Sequence, residues 1–328
     1  MNSHHNFSRH CHLALLGVAA AATILVAGCS KKTETAPSTT GHSGSTRATA
    51  VATARDANAG NAAQQSTQKL NAYTSAFNKL IGTFGLPDTR KRYFEENIAK
   101  KNASDSLSIS DGWVEGALDE LKKGRALNTS GLSALDASAD ALIGQLGKLV
   151  PQLKGLDVYY ESKAYKEDNL ARGKAEDASM RASFDASIAA MKAFSTALSA
   201  EQKKRDVDML AQLKASGNLL SYNTKLALGQ GEDLVNLFGE GEIKTAAKYV
   251  EGDALVKELE QTLAAQRELY AAAKAKGPAP DSGHESTASN LVSLVGAYRA
   301  MKQSRQPNDY NDMVKEYNDA VSSANGID

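Results

Sequence analysis

Apolar residues recur at steps of three and four along most of the chain after residue 66, which is the spacing of one face of an α-helix. Helix-favouring Ala, Leu, Lys, Glu and Gln are abundant, and no segment shows the sustained alternation of a half-buried strand. The pattern therefore predicts an all-α fold. The clearest runs are Leu70, Tyr73, Phe77, Leu80 and Phe84; Met180, Phe184, Ile188, Met191, Phe194 and Leu198; Leu255, Leu259, Leu263, Leu269 and Tyr270; and Tyr310, Met313, Val314, Tyr317 and Val321.

Glycine, proline and short polar clusters divide the folded part into roughly eight to ten helices. Short loops favour antiparallel packing of successive helices, so we expect up-and-down bundles. Residues 66–328 could form one elongated domain or two fused bundles, and the pattern leaves both open. The plainest breaks are predicted at Pro87, 102–110, 128–131, Pro151 and 276–283.

A further helix is predicted to begin after Ser110-Asp111-Gly112, because small and acidic residues favour the first position of a helix. Trp113, Leu118 and Leu121 are then expected to face the core.

The first thirty residues follow a different pattern. Arg9 precedes an apolar run from Leu13 to Ala27, and Ala-Gly leads directly into Cys29, an ending typical of a lipoprotein signal peptide. The run is about fifteen residues, shorter than the roughly twenty that span a bilayer, which disfavours a permanent membrane helix. We therefore predict a signal peptide over 1–28 that is removed, with acyl chains such as palmitate attached to Cys29. Ordinary cleavage at a small-residue site is the alternative.

The segment after the predicted lipidation site resembles a spacer. Residues 29–65 are rich in Ser, Thr, Ala and Gly and poor in large apolar residues, which predicts a flexible tether before a helical domain over 66–328. In a cell with two membranes, Ser30 in place of the aspartate that favours the inner membrane predicts the outer membrane, facing the periplasm. Without Arg9 the chain keeps 37 basic against 38 acidic residues, a balance that does not attract nucleic acid.

Three short motifs stand out along the helical region. They are Lys69-Leu70-Asn71-Ala72-Tyr73 with Phe77-Asn78-Lys79-Leu80; Tyr159-Tyr160-Glu161-Ser162-Lys163-Ala164-Tyr165-Lys166-Glu167-Asp168-Asn169; and Tyr310-Asn311 to Tyr317-Asn318. Together they resemble the YiiG-like bacterial lipoproteins, a family whose domain has no assigned function. The central motif has Glu167 where the family pattern has a second aspartate. The resemblance implies a lipid-anchored helical domain and supplies neither a reaction nor catalytic residues.

The central motif carries the first candidate binding site. On a continuous helix Glu161, Tyr165 and Asp168 would share one side, with Tyr159 close by. Carboxylates next to tyrosine hydroxyls could bind a cation or a polar ligand. The alternative is that the tyrosines pack inward while the charges form solvated ion pairs.

A second candidate site comes from a short repeat, Gly229-Gln230-Gly231-Glu232 and Gly239-Glu240-Gly241-Glu242. Glycine permits tight turns that direct carboxylates such as Glu232 and Glu242 toward a hard cation, although the spacing matches no calcium loop. The alternative is that Gly229 and Gly239 end helices and that the glutamates lie in the first turns that follow.

Signatures of catalysis are missing from the sequence, including the motifs of serine hydrolases, zinc proteases and phosphate-binding loops. His284 follows a Pro/Gly-rich segment and is expected to lie in a loop. We therefore predict no catalytic residue and no cofactor, leave any metal open, and expect the protein not to be an enzyme. The favoured hypothesis is a non-enzymatic scaffold that binds an envelope partner. The alternative is a periplasmic lipoprotein that binds a ligand or metal through carboxylates.

Overall fold

The computed structural model describes the backbone of residues 46–110, 112–128, 131–238 and 242–327, with side chains from residue 64 onward. The predicted signal peptide, Cys29 and the tether up to residue 45 lie outside the described residues. The described ranges contain nine α-helices, three short 3₁₀ turns and no strand, which confirms the all-α prediction. The helices are α1 (Thr46–Ile81), α2 (Leu86–Glu96), α3 (Val114–Ala126), α4 (Ser133–Glu161), α5 (Ala171–Ala215), α6 (Leu219–Asn236), α7 (Ala246–Lys276), α8 (Ser282–Ser304) and α9 (Pro307–Ala324).

The first helix begins earlier than the pattern predicts, because α1 includes residues 46–65 of the segment assigned to the tether. Eight of these twenty residues are alanine, the residue with the highest intrinsic helix propensity. No helix in the described part of the chain has the length and apolarity needed to cross a membrane.

The described residues divide into two compact units. The N-terminal unit comprises residues 46–79 and 97–198, and the C-terminal unit comprises residues 80–96 and 199–327. The first 28 residues of α5 belong to the N-terminal unit and the remainder to the C-terminal unit.

In the N-terminal unit, α1, α3, α4 and the first part of α5 pack around one apolar core. Lys79 pairs with Glu120, whereas Tyr73, earlier in α1, packs over Gly124, later in α3. These contacts show that the two helices are antiparallel, and the ion pairs between α3 and α4 show the same reversal. Tyr73 and Phe194 meet edge to face with ring centroids 5.6 Å apart, which ties α1 to α5.

In the C-terminal unit, α6 to α9 enclose a second apolar core in an up-and-down arrangement. Gln266 of α7 contacts His284 at the start of α8, and Gly252 near the start of α7 contacts Tyr298 near the end of α8. The two helices are therefore antiparallel, as short connections predict. The core includes Leu234, Val235, Phe238, Leu259, Leu291, Leu294, Met301, Met313 and Tyr317.

Two local predictions are wrong. Trp113 is 54% exposed because it precedes the first turn of α3, whereas Leu118 and Leu121 are buried as predicted. Pro151 lies inside α4 and does not end it. The buried side chains around it, including Val150 and Leu153, continue the helical apolar stripe, and their packing outweighs the roughly 3 kcal/mol cost of an interior proline.

Candidate functional site

The central motif does not form one continuous helix. α4 ends at Glu161, Lys163 adopts the left-handed conformation with φ of 61°, and a 3₁₀ turn covers Ala164–Lys166. A new helix begins at Ala171. The common helical side expected for the three candidate ligands is therefore absent, because the direction of the backbone changes between them.

Asp168 is held at the start of α5 by hydrogen bonds. Its carboxylate accepts the hydroxyl of Tyr159 at 2.7 Å and the backbone N–H of Arg172 at 3.1 Å. The hydrogen bond from Tyr159, followed by those from backbone amides, lowers the pKa of Asp168. Carboxylates in this position stabilise a helix by satisfying its free N–H groups and its dipole. Asp168 thus joins the end of α4 to the start of α5.

The tyrosines of the motif point into the N-terminal unit. Tyr159, Tyr160 and Tyr165 are buried, with ring centroids 4.9 to 6.3 Å apart. Tyr165 donates its hydroxyl to the backbone oxygen of Asp105 at 3.2 Å. Burial and the hydrogen bond to the neighbouring carboxylate raise the pKa of Tyr159 to about 12. These rings form an aromatic cluster rather than an open site.

Glu161 stands apart from this cluster. Its side chain is exposed at the last position of α4 and makes no hydrogen bond or ion pair with a described residue. The structure therefore does not gather Glu161 into the contacts that hold Asp168 and Tyr159.

Glu232 lies in a small cleft of the C-terminal unit, between α5, α6 and α9. The space open to the centre of a water molecule is about 20 Å³, which is room for one or two waters. A site of this size takes a single small group and does not enclose a metabolite. The lining residues are Asp206, Lys225, Leu228, Gly229, Glu232, Tyr317, Val321, Ala324 and Asn325.

The charges at the cleft leave Glu232 without a cation. Lys225 pairs with Asp206 at 2.9 Å and Lys203 pairs with Asp233 at 3.5 Å. Glu232 makes no hydrogen bond or ion pair with any residue the structure describes. Burial first, and then the two neighbouring aspartates, raise the pKa of Glu232, while the two lysines only partly oppose them. Both the partial burial and the neighbouring negative charges disfavour the ionised form of Glu232.

The glycine-glutamate repeat does not build a joint site at this cleft. Glu242 lies in a separate 3₁₀ turn, Glu242–Lys244, where its carboxylate is 3.9 Å from Lys248, and it does not line the cleft. Gly229 lies inside α6 and does not end a helix, and residues 239–241 are outside the described ranges. Gly231 is required for packing, since a Cβ there would lie 2.8 Å from Leu291 Cδ2.

The sequence pattern did not predict an ionic network in the N-terminal unit, which is enclosed at Lys69 and open to solvent at Arg125 and Asp140. Lys69 Nζ and the hydroxyl of Tyr73 each lie 2.6 Å from a carboxylate oxygen of Asp136. Arg125 bonds Asp140 at 2.7 Å and approaches Asp136 at 3.8 Å. One feature of the sequence could have indicated this network. Lys69 lies four residues before Tyr73, which places a lysine on the apolar face of α1.

His284 was placed wrongly by the sequence pattern. It lies in the first turn of α8 with 6% of its surface exposed, and its Nδ1 is 2.9 Å from the hydroxyl of Thr224. Gln266 donates to the backbone oxygen of His284 at 2.8 Å. The helix begins directly after the Pro/Gly segment because Asp281 accepts the backbone N–H of Gly283 and caps it.

Within the described side chains, no group of three or more His, Cys, Asp or Glu is placed to hold a metal ion.

The comparisons with other proteins identify the family of this chain and nothing more specific. No curated protein and no solved structure matches the chain. The model of a family described as "Protein of unknown function (DUF3829)" matches residues 64–295, more than two thirds of the chain. The chain therefore belongs to the DUF3829 family of proteins of unknown function.

Proposed function

We propose that this protein is a lipid-anchored cell-envelope protein whose helical domain binds an envelope partner without catalysing a reaction. The anchor is supported by the apolar run from Leu13 to Ala27 and the Ala-Gly-Cys ending at Cys29. Its location is the outer membrane, facing the periplasm. A resemblance of three motifs to the YiiG-like lipoproteins agrees with a lipid anchor.

One observation supports the non-enzymatic role: Asp168 and His284, two of the polar groups that could perform chemistry, are held by contacts between helices. Asp168 caps α5 and accepts Tyr159, and His284 bonds Thr224 within the C-terminal unit. A general base must reach a substrate proton, whereas these groups are committed to neighbouring helices. They therefore support a rigid helical surface rather than a reacting centre.

Fractionation of cells tests the anchor. The Cys29→Ala variant loses its acyl chains, each buried methylene of which contributes about 0.8 kcal/mol of membrane affinity. It should remain unprocessed or appear in the soluble periplasmic fraction. The Cys11→Ala variant is the matched control, because Cys11 lies within the predicted signal peptide, and it should fractionate with the outer membrane. Unchanged membrane fractionation of Cys29→Ala would contradict the lipoprotein assignment.

Cross-linking in intact cells tests the partner. The full-length protein should form one reproducible adduct with another envelope protein, and the adduct should weaken in Cys29→Ala because release from the membrane lowers the local concentration. The Cys11→Ala control should keep the adduct. Adducts that are equally abundant in both variants would show that anchoring does not position the partner.

The alternative, a periplasmic lipoprotein that binds a ligand, is favoured by the cleft at Glu232 alone. Neither candidate site brings its predicted ligands together. Glu161 of the central motif is exposed, and Glu242 of the glycine-glutamate repeat lies outside the cleft at Glu232. Ligand binding through carboxylates is therefore reduced to a site around a single unpaired glutamate.

A further inference from the structure

The cleft at Glu232 holds a second polar group without a partner. Tyr317 lines the cleft and is 1% exposed, yet its hydroxyl makes no hydrogen bond to any described residue. After burial, the negative charge of Glu232 contributes most to the raised pKa of Tyr317. The hydroxyl oxygen itself is not fully enclosed, so water or a bound group can supply the hydrogen-bond partner that the chain does not.

The charges around the cleft indicate that this partner carries a positive charge. The carboxylates of Asp206, Glu232 and Asp233 influence one another, and two ammonium groups, Lys225 and Lys203, neutralise the two aspartates. One negative charge remains, on Glu232. A cation bound beside Glu232 would make the group of charges neutral, whereas an anion would be repelled.

The shape and walls of the cleft select the kind of cation. The centre of a water-sized group can move within only about 20 Å³ of the cleft, which suits one ammonium group, because an ammonium group is about as large as a water molecule. Leu228, Val321 and Ala324 form apolar walls that suit methylene groups. A metal ion is disfavoured, because the described residues contain no group of three or more acidic or histidine side chains placed to hold one.

We propose that the cleft binds a primary alkylammonium group through Glu232 and Tyr317. The carboxylates of Glu232 and Asp206 and the hydroxyl oxygen of Tyr317 offer acceptors for the three N–H donors of the ammonium. The alkyl chain leaves along the apolar walls. This inference goes beyond the proposed partner-binding role, and it does not depend on the membrane anchor.

The chain itself provides a precedent for this recognition. Lys225 is an alkylammonium whose side chain is 19% exposed at the wall of the cleft, and its Nζ lies 2.9 Å from Asp206. The protein thus already holds one ammonium beside a carboxylate at this cleft. The proposed ligand would give Glu232 the same kind of partner.

Calorimetric titration of the purified full-length protein tests the proposal. The probe n-butylammonium chloride should bind, whereas tetramethylammonium chloride, which has the same charge and no N–H donor, should not. Glu232→Gln should weaken binding of n-butylammonium about tenfold or more, because the amide oxygen still accepts a hydrogen bond but the negative charge that strengthens it is lost. Tyr317→Phe should weaken it less. Glu242→Gln is the matched control and should bind like the unchanged protein.

The source of the ammonium is distinguished by two further probes. Tighter binding of 1,5-diaminopentane indicates a free amine as the ligand, and tighter binding of Nα-acetyl-lysine amide indicates a lysine side chain of a protein. The proposal is overturned if n-butylammonium gives no heat of binding, if tetramethylammonium binds equally, or if Glu232→Gln keeps full affinity. If circular dichroism shows that Tyr317→Phe does not fold, the affinity of Glu232→Gln for n-butylammonium tests the proposal alone.

Discussion

The Nζ of Lys69 lies 2.6 Å from Oδ2 of Asp136, and only 1% of the lysine side chain is exposed. Among the described residues, Asp136 is the one carboxylate that pairs with this ammonium group. The two partners are not equivalent, because Asp136 also accepts Tyr73 and lies near Arg125. Removing the aspartate leaves a buried cation without a counter-charge. Removing the lysine leaves an anion that keeps two other partners.

We therefore expect Asp136→Ala to be more destabilising than Lys69→Met. Loss of one partner of a buried pair costs roughly 3–5 kcal/mol, and Lys69→Met should cost clearly less. Urea unfolding of the full-length variants measures the difference. Lys154→Met, in an exposed pair with Glu115, is the control and should change the free energy of unfolding by less than about 1 kcal/mol. Equal losses for the two buried partners would contradict this asymmetry.

A second prediction compares two glycines of α6. Alanine at position 231 would place a Cβ 2.8 Å from Leu291 and 3.3 Å from Tyr317, whereas nothing lies within 4 Å of a Cβ at position 229. Gly229→Ala should raise stability by roughly 0.5–1 kcal/mol through helix propensity. Gly231→Ala should lower it by about 1–3 kcal/mol through overpacking. The melting temperatures of the two variants measure this difference. A higher melting temperature for Gly231→Ala would show that Leu291 and Tyr317 move to accommodate the added methyl group.

The buried histidine predicts loss of stability in mild acid. Burial lowers the pKa of His284 below its usual 6.5, and Asp281 only partly opposes the effect. The unfolded chain then binds the proton more readily, so stability is full above pH about 6.5 and falls as the pH decreases toward the lowered folded-state pKa. Melting temperatures across this range should fall less in His284→Gln. An identical pH dependence in the variant would exclude His284 as its source.

For Glu232 we expect stability to change with pH in the opposite direction. Its pKa is raised in the folded state, so the unfolded chain loses the proton first and stability falls as the pH rises above the ordinary value of 4.5. At pH 7 Glu232→Gln should therefore melt at a higher temperature than the unchanged protein, and the gain should vanish below about pH 4.5. Glu242→Gln serves as the control. A variant that melts lower at pH 7 would show that the charge of Glu232 stabilises the fold.

The pattern of residues in the sequence was enough to predict helices and most of the core. Leu70, Tyr73, Phe77 and Leu80 are buried as their spacing indicates, because helical geometry brings such positions to one face whatever the partner is. The same local rules failed at Pro151, where packing continued the helix. They also failed at His284, where the helix started within the predicted loop.

Glu232 was named from sequence as a candidate ligand, but its companions were not. Tyr317 and Asp206 are 85 and 26 residues away along the chain, and no spacing rule connects positions on three different helices. Glu242 was grouped with Glu232 by the glycine-glutamate repeat, and it does not line the cleft. Sequence therefore determined the helical class and the apolar faces, since these depend on local periodicity and composition, whereas the anchor at Cys29 stays a prediction. Only the tertiary structure decided which charges are paired, because pairing depends on which helices pack together.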